Sequence, residues 1–176
     1  MNREDFPFFK EDIIYLDNGA TSLKPKCVID KMVDYYTFYP ANAHRGDYDL
    51  SYKVDQEYES TRELVKDFIH AKALEEIIFT SGTTEALNMI VNGFFAPLLE
   101  ENDEVLITNS EHASNILPWF KLAKNKGILV NYIPLDSNYY LTMDNLKKSI
   151  SPKTKVISIA GVTNVIGDIR PIKEIC

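Results

Sequence analysis

Short apolar segments alternate with helix-forming segments through most of the chain, and this alternation constrains the fold more than any other feature. Each apolar segment is short enough for a strand, and each is followed by a stretch in which apolar residues have helical spacing. Strands that alternate with helices form right-handed βαβ units around a parallel sheet. The sequence therefore predicts an α/β fold with a doubly wound, mainly parallel sheet and helices on both faces. The strands are expected at residues 77–79, 104–108, 128–133 and 155–160.

Prolines, glycines and apolar spacing predict the other elements. A further short strand is expected at residues 13–16, before a turn at residues 17–19. A helix should begin at Pro25 and end at Pro40, and residues 41–50 are expected to form a loop. The remaining helices are predicted at residues 51–70, 85–96, 118–126 (ended by Gly127) and 143–150, with a last helix beginning at Pro171.

The Ser-Gly-Thr-Thr segment at residues 81–84 joins the first of the four alternating strands to its helix. Unpaired N–H groups and the positive end of the helix dipole favour an anion such as a phosphate at this point. Thr83 and Thr84 would add hydroxyl donors, and Gly82 is expected to turn the backbone sharply and let a ligand approach closely. An ordinary threonine cap without a ligand fits the same residues, so both interpretations remain open.

Other polar residues also follow strands or lie in loops, where ligands of parallel sheets bind. His112 follows strand 104–108, and its imidazole can stack on a flat ring or move protons; a local hydrogen bond at a helix start is the alternative. Asn164 follows the last strand and can donate to a ligand oxygen or close an Asx turn. Arg45, beside His44 in the first loop, can bind a carboxylate or remain solvated.

The composition argues against several functional classes. A net charge of −7 argues against nucleic-acid binding. The sequence has no apolar run of about 18 residues and no basic-then-apolar N-terminus, so neither a membrane span nor a signal peptide is predicted. Two cysteines, Cys27 and Cys176, make no disulfide framework, which fits the cytoplasm. The three histidines lack metal-ligand spacing, so no metal site is expected.

The C-terminal end suggests that a longer protein exists. The chain stops at Cys176, about one helical turn after Pro171, and no strand follows. A βα unit without its next strand leaves apolar surface uncovered. We therefore expect the chain to be a fragment.

Several short motifs, taken in order, resemble the class-V aminotransferase-like, fold-type I pyridoxal-phosphate enzymes. Within them the sequence is most similar to the cysteine desulfurase and selenocysteine lyase branch, and the resemblance covers nearly the whole chain from about residue 12. The motifs are YLDNGAT at residues 15–21, ANAHRG at 41–46, IFTSGTTEA at 78–86, EHASN at 111–115, PW at 118–119 and TNVIG at 163–167.

The resemblance implies a role for each matching residue. Thr83 and Thr84 match the pair that binds the cofactor phosphate. His112 matches the histidine that stacks on the pyridine ring and is a candidate proton carrier, so it is the one catalytic residue expected in this chain. Asn164 matches the asparagine bonded to the ring hydroxyl. The positions implied on the substrate side are Ala20, His44 and, in the same loop, Arg45.

Some family features differ or are missing. Gly19, Ser81 and Ala113 replace residues common in this branch. No lysine follows a histidine, as the Schiff-base lysine of the family does, and neither cysteine matches the sulfur-accepting one. The chain is therefore expected to be inactive alone.

The resemblance implies the N-terminal part of a cysteine desulfurase, which converts L-cysteine to alanine and an enzyme-bound persulfide. It further implies a cytoplasmic homodimer that passes sulfur to an acceptor protein for iron–sulfur assembly. Residues 1–50 would form an N-terminal arm, a helix and the substrate-side loop, and residues 51–176 the first part of the cofactor domain. The alternatives are another class-V reaction, such as racemisation, epimerisation or aminotransfer, and a non-catalytic domain that binds phosphate or a partner.

Overall fold

The computed structural model describes residues 2–9 and 12–176, which divide into two compact units between Phe79 and Thr80. Of the predicted N-terminal arm, residue 1 lies outside the described residues. The predicted domain boundary after residue 50 stays a prediction. None of the helices in the described ranges is long and apolar enough to cross a membrane.

The first unit contains two long helices, α1 at Lys26–Phe38 and α2 at Asp49–Phe68, with short 3-10 turns at Arg3–Asp5 and Leu74–Glu76. The prolines predicted to bound α1 are confirmed, because Pro25 is its N-cap and Pro40 follows its C-cap residue. No residue of α1 is buried. Its apolar stripe is exposed and comprises Val28, Ile29, Met32, Val33 and Tyr36.

Two predicted strands are wrong. Residues 13–16 form no strand, and Ile14 and Leu16 are 82% and 88% exposed. Residues 77–79 form none either, and the Ile77 carbonyl accepts a hydrogen bond from Arg62 Nη2 at 3.3 Å. A strand requires hydrogen bonds to a neighbouring backbone, and neither segment pairs with a strand in the described chain.

The second unit is built on a three-stranded sheet in the order β2-β1-β3, with β1 at Glu104–Thr108, β2 at Leu129–Ile133 and β3 at Thr154–Ile157. Both pairs of strands are parallel, and Thr108 aligns with Ile133 at the carboxyl end of the first pair. All five residues of the central strand β1 are buried. The predicted parallel sheet is therefore confirmed, with three of its four alternating strands.

Helices cover both faces of this sheet, as predicted. The elements are α3 at Thr83–Met89, a π-helical stretch at Ile90–Phe95, α4 at Ala96–Leu98, α5 at Ala113–Lys126, α6 at Met143–Ser149 and α7 at Ile172–Ile175. On one face, Val105 and Ile107 of β1 belong to a core with Trp119 of α5. On the other face, Leu106 belongs to a core with Leu146 of α6. Alternate residues of one strand thus reach two separate cores.

The predicted helix ends need two corrections. The helix after Thr83 does not stop before Pro97, because Pro97 lies in the first turn of α4, where a missing N–H is tolerated. Helix α5 begins at Ala113 rather than Pro118, because His112 caps it and Pro118 is accommodated inside. The end of α5 was predicted correctly: Gly127 has a left-handed φ of 73°.

Candidate functional site

The segments after β1 and β3 meet at the carboxyl end of the sheet and form a groove of about 440 Å³. We call it the strand-end groove. His112 and Asn164, which lie far apart in the sequence, both line it, as expected from the rule that ligands bind beyond the carboxyl ends of parallel strands. Its lining residues are Asn109, Ser110, Glu111, His112, Ala113, Leu135, Tyr139, Asn164, Val165 and Ile166.

A second groove, of about 310 Å³, runs along α3 and α5, and we call it the helix groove. Thr84 lines it together with His112. His112 therefore contributes to both grooves, between Thr84 on one side and Asn164 on the other. The lining residues are Thr84, Asn88, His112, Ala113, Ser114, Leu117, Pro118 and Lys121.

Thr83 and Thr84 are the first two residues of α3, and both are exposed. Their N–H groups belong to the first helical turn, which has no intrahelical acceptors. The backbone bends at residues 81 and 82, as expected, but Gly82 has an extended φ of 161° and a Cβ there would meet no atom within 4 Å, so neither its φ nor the space around it requires glycine. The start of α3 thus presents donors on an open surface.

Glu85 lies beside this helix start and already has a partner. Its Oε2 accepts the Ser81 N–H at 2.7 Å. Hydrogen bonds from the Ser81 side chain, and then from its backbone N–H, hold the pKa of Glu85 below its usual value. The carboxylate is therefore bound to Ser81, outside the helix, rather than to Thr83 or Thr84.

His112 is the N-cap of α5, and this role fixes its imidazole. The Nδ1 atom accepts the Ser114 N–H at 3.2 Å and also contacts the Ser114 hydroxyl. A neutral ring that accepts at Nδ1 carries its proton on Nε2. The local hydrogen bond considered from the sequence is therefore present, and the same residue also lines both grooves.

Asn164 lies on an exposed turn that is stabilised by hydrogen bonds between two buried residues. Thr163 and Asp168 are buried, and the Thr163 N–H donates to the Asp168 carbonyl at 3.1 Å while the Asp168 N–H donates to Thr163 Oγ1 at 3.0 Å. Gly167 closes the turn with a φ of 77°. Within the described residues, the Asn164 side chain makes no hydrogen bond of the kind that closes an Asx turn.

Ala20, His44 and Arg45 belong to the first unit, and all three are exposed. His44 has a left-handed φ of 58°, and its backbone N–H donates to Asp55. Its Nε2 is 3.5 Å from Glu59 Oε1. The roles of these three residues on the substrate side stay predictions.

A buried charged cluster beneath the strand-end groove was not predicted. Arg170 Nη1 donates to Glu111 Oε1 at 2.5 Å, and both side chains are 0% exposed. Arg170 Nε donates to Asp168 Oδ2 at 3.3 Å. The sequence signal that could have revealed this cluster is a charged residue beside a buried strand or inside an apolar stretch. Arg170, between Ile169 and Pro171, is such a residue. In the described chain, no group of side chains has the arrangement of a metal site.

Comparison with known proteins places this arrangement in a family. Residues 14–176 match the aminotransferase class-V family. The chain belongs to the class-V aminotransferase family. The family resemblance drawn from the motifs is therefore confirmed, and with it the assignment to an enzyme family and the parallel-sheet fold.

Two similar proteins and one similar solved structure are described as cysteine desulfurases. A probable cysteine desulfurase of Halalkalibacterium halodurans is 43% identical over 97% of this chain and 43% of its own length. One of Ureaplasma parvum is 46% identical over 95% of this chain and 41% of its own length. The apo structure of a cysteine desulfurase from Thermococcus onnurineus matches with 38% identity and a TM-score of 0.89, over 98% of this chain and 42% of that one. The chain thus spans less than half of each relative.

Proposed function

We propose that the chain is part of a pyridoxal-phosphate enzyme that cleaves the C–S bond of L-cysteine, releasing alanine and leaving the sulfur as a persulfide on an enzyme cysteine. One observation carries the proposal: His112 lines both grooves, with Thr84 in one and Asn164 in the other. The names of the relatives, which match nearly the whole chain, support this reaction within the class-V family.

The residues present suit the parts of this cofactor. A phosphate needs several donors, which the first turn of α3 and the hydroxyls of Thr83 and Thr84 can supply. A flat ring suits the imidazole of His112, and a ring oxygen suits the amide of Asn164. The groove volumes, about 310 and 440 Å³, are within the usual range of ligand pockets. When bound, the cofactor supplies the electron sink for the reaction.

The cap at His112 also determines which nitrogen can handle a proton. Because Nδ1 accepts the Ser114 N–H, Nε2 is the ring nitrogen left to donate or accept. We infer that His112 holds the ring of the cofactor on its face and moves protons through Nε2. Thr83, Thr84 and Asn164 bind without proton transfer.

The remaining assignments rest on the resemblance. We propose that Ala20, His44 and Arg45 contact substrate groups, and that residues 1–50 and 51–176 are the substrate-side segment and the first part of the cofactor domain. The complete enzyme would be a cytoplasmic homodimer that delivers sulfur to an acceptor protein for iron–sulfur cluster assembly. The 176-residue chain by itself is proposed to be inactive, because it has no lysine in the Schiff-base motif.

The test is to supply the full-length protein with pyridoxal phosphate and L-cysteine and to measure alanine and protein-bound persulfide. We expect the two in equal amounts, above the rate of free pyridoxal phosphate. Another class-V reaction, such as racemisation, leaves the C–S bond intact. Formation of D-cysteine without alanine would therefore refute the proposed reaction while keeping the family assignment.

A further inference from the structure

Arg170 connects the two loops that carry His112 and Asn164. Its Nη2 donates to Thr108 Oγ1 at 3.0 Å and to Ser110 Oγ at 2.6 Å, at the end of β1. Its Nη1 donates to Glu111, the residue directly before His112. Its Nε donates to Asp168, which holds the turn of Asn164.

Glu111 extends this connection into the sheet and into α5. Its Oε2 accepts a hydrogen bond from Asn115 Nδ2 at 2.9 Å. The same oxygen accepts a hydrogen bond at 2.8 Å from the N–H of Ala160, a residue that follows β3. Its Oε1 accepts Thr108 Oγ1 at 3.0 Å as well as Arg170. Both carboxylate oxygens are thus engaged, which a buried charge requires.

Stability alone does not account for such a cluster. Apolar residues of similar volume often replace a buried ion pair at no cost in stability. What apolar contacts do not provide is the fixed fork geometry of a guanidinium, which determines the separation of the groups it bonds. Here those groups are side-chain oxygens from the two segments that meet at the strand-end groove, three from residues 108–111 and one from Asp168.

We propose that Arg170 is a positioning residue that fixes the loop of His112 relative to the turn of Asn164, and so the ring site between them. This inference rests on the proposed function, because it assumes that His112 and Asn164 bind one ligand. Arg170 lies under the groove and is not among its lining residues, so it acts through Glu111 and Asp168.

The test uses the full-length protein, with pyridoxal phosphate as the probe and Arg170→Lys as the main variant. Lysine keeps the charge but lacks the fork. We expect cofactor affinity to fall by about tenfold or more, and the visible circular dichroism of the bound cofactor to weaken. The matched control is Glu104→Ala, which removes a buried carboxylate at the opposite, amino end of β1. It should lower stability but leave affinity and dichroism unchanged.

A double variant, Glu111→Gln with Arg170→Gln, separates positioning from folding. In Arg170→Gln both buried carboxylates lose their cation, whereas in the double variant only Asp168 does, so thermal stability should partly recover relative to Arg170→Gln. Affinity and dichroism should remain reduced, and their recovery together with stability would overturn the proposal. So would an Arg170→Lys protein that binds like the parent. If Arg170→Lys does not fold, the double variant decides. If the parent itself binds no pyridoxal phosphate, the proposed function fails first, and the role of Arg170 fails with it.

Discussion

Replacing Thr83 and Thr84 with alanine should weaken cofactor binding by the full-length protein without destabilising the apoprotein. Both side chains are exposed at the start of α3, and neither hydroxyl is hydrogen-bonded to another described residue. The N-cap of α3 is Gly82, so the threonine hydroxyls do not cap the helix. Their removal therefore leaves no buried group unpaired, and alanine is the better helix former.

The size of the binding loss follows from the hydrogen bonds to the phosphate. A hydrogen bond to a charged group contributes about 1.5–3 kcal/mol, and exposed groups belong at the lower end. Each hydroxyl should then be worth about tenfold in the dissociation constant, and the pair about a hundredfold if the effects add. Neighbouring residues can depart from additivity, which the two single variants would measure. The free energy of unfolding of the apoprotein should change by less than about 0.5 kcal/mol.

The assay is equilibrium titration with pyridoxal phosphate, alongside urea unfolding of the apoprotein. Thr142→Ala is the matched control, because Thr142 Oγ1 caps α6 by accepting the Asn145 N–H at 3.2 Å. It should cost about 1 kcal/mol of stability and leave affinity unchanged. Thr83→Ser with Thr84→Ser should retain binding. The reasoning fails if the double alanine variant binds like the parent, or if serine is no better than alanine.

Three further predictions concern His112, Glu104 and Gly127. His112→Asn keeps a good N-cap but loses the imidazole, so the free energy of unfolding should hardly change. Turnover of the full-length enzyme with bound pyridoxal phosphate should fall by about 10²–10⁴-fold. Unchanged turnover would exclude proton transfer by His112. Burial raises the pKa of Glu104, but hydrogen bonds from neighbouring side chains outweigh burial and hold the pKa below its usual value. The stabilisation from Glu104, present above the unfolded-state pKa, should therefore be lost as pH falls through the folded-state pKa. Urea unfolding between pH 7 and pH 3 should show a smaller acid loss for Glu104→Gln than for the parent; equal losses would contradict this. Gly127→Ala should lower the free energy of unfolding in urea by about 1 kcal/mol or more, because Gly127 has φ 73° and a Cβ would lie 2.9 Å from Glu101 Cγ. An unchanged unfolding midpoint would show that the alanine is not strained.

Local patterns predicted those parts of the fold whose cause is local. Strand β1 was predicted at its observed bounds, because residues 105–107 form a continuous apolar run and the whole strand is buried. Gly127 ended α5 as predicted, because a left-handed residue there strongly favours glycine. The start of α5 was missed because Pro118 resembles a first helical residue, whereas the cap is made by His112, an uncommon capping residue.

Pairing between distant segments was not predictable in the same way. Residues 13–16 and 77–79 have the apolar composition of strands, yet in the described chain neither pairs with another strand. An apolar run records a preference for burial, while a strand also depends on a partner that the run does not specify. The candidate site shows the same limit. His112 and Asn164 were found because each directly follows a strand, but nothing local joined Glu111 to Arg170, 59 residues later.

The pair of Glu111 and Arg170, which was not predicted, explains how an exposed site can still be ordered. His112 and Asn164 are exposed and lie on short loops, which by themselves would hold a ligand loosely. Directly before His112, however, Glu111 is buried, and the turn of Asn164 ends at the buried Asp168 and Arg170. One guanidinium and two carboxylates leave an excess negative charge, which the Ala160 and Leu141 N–H groups and the Asn115 amide help to compensate. Because these donors come from α5 and from the segments that follow β2 and β3, the core of the second unit determines where the two exposed side chains lie.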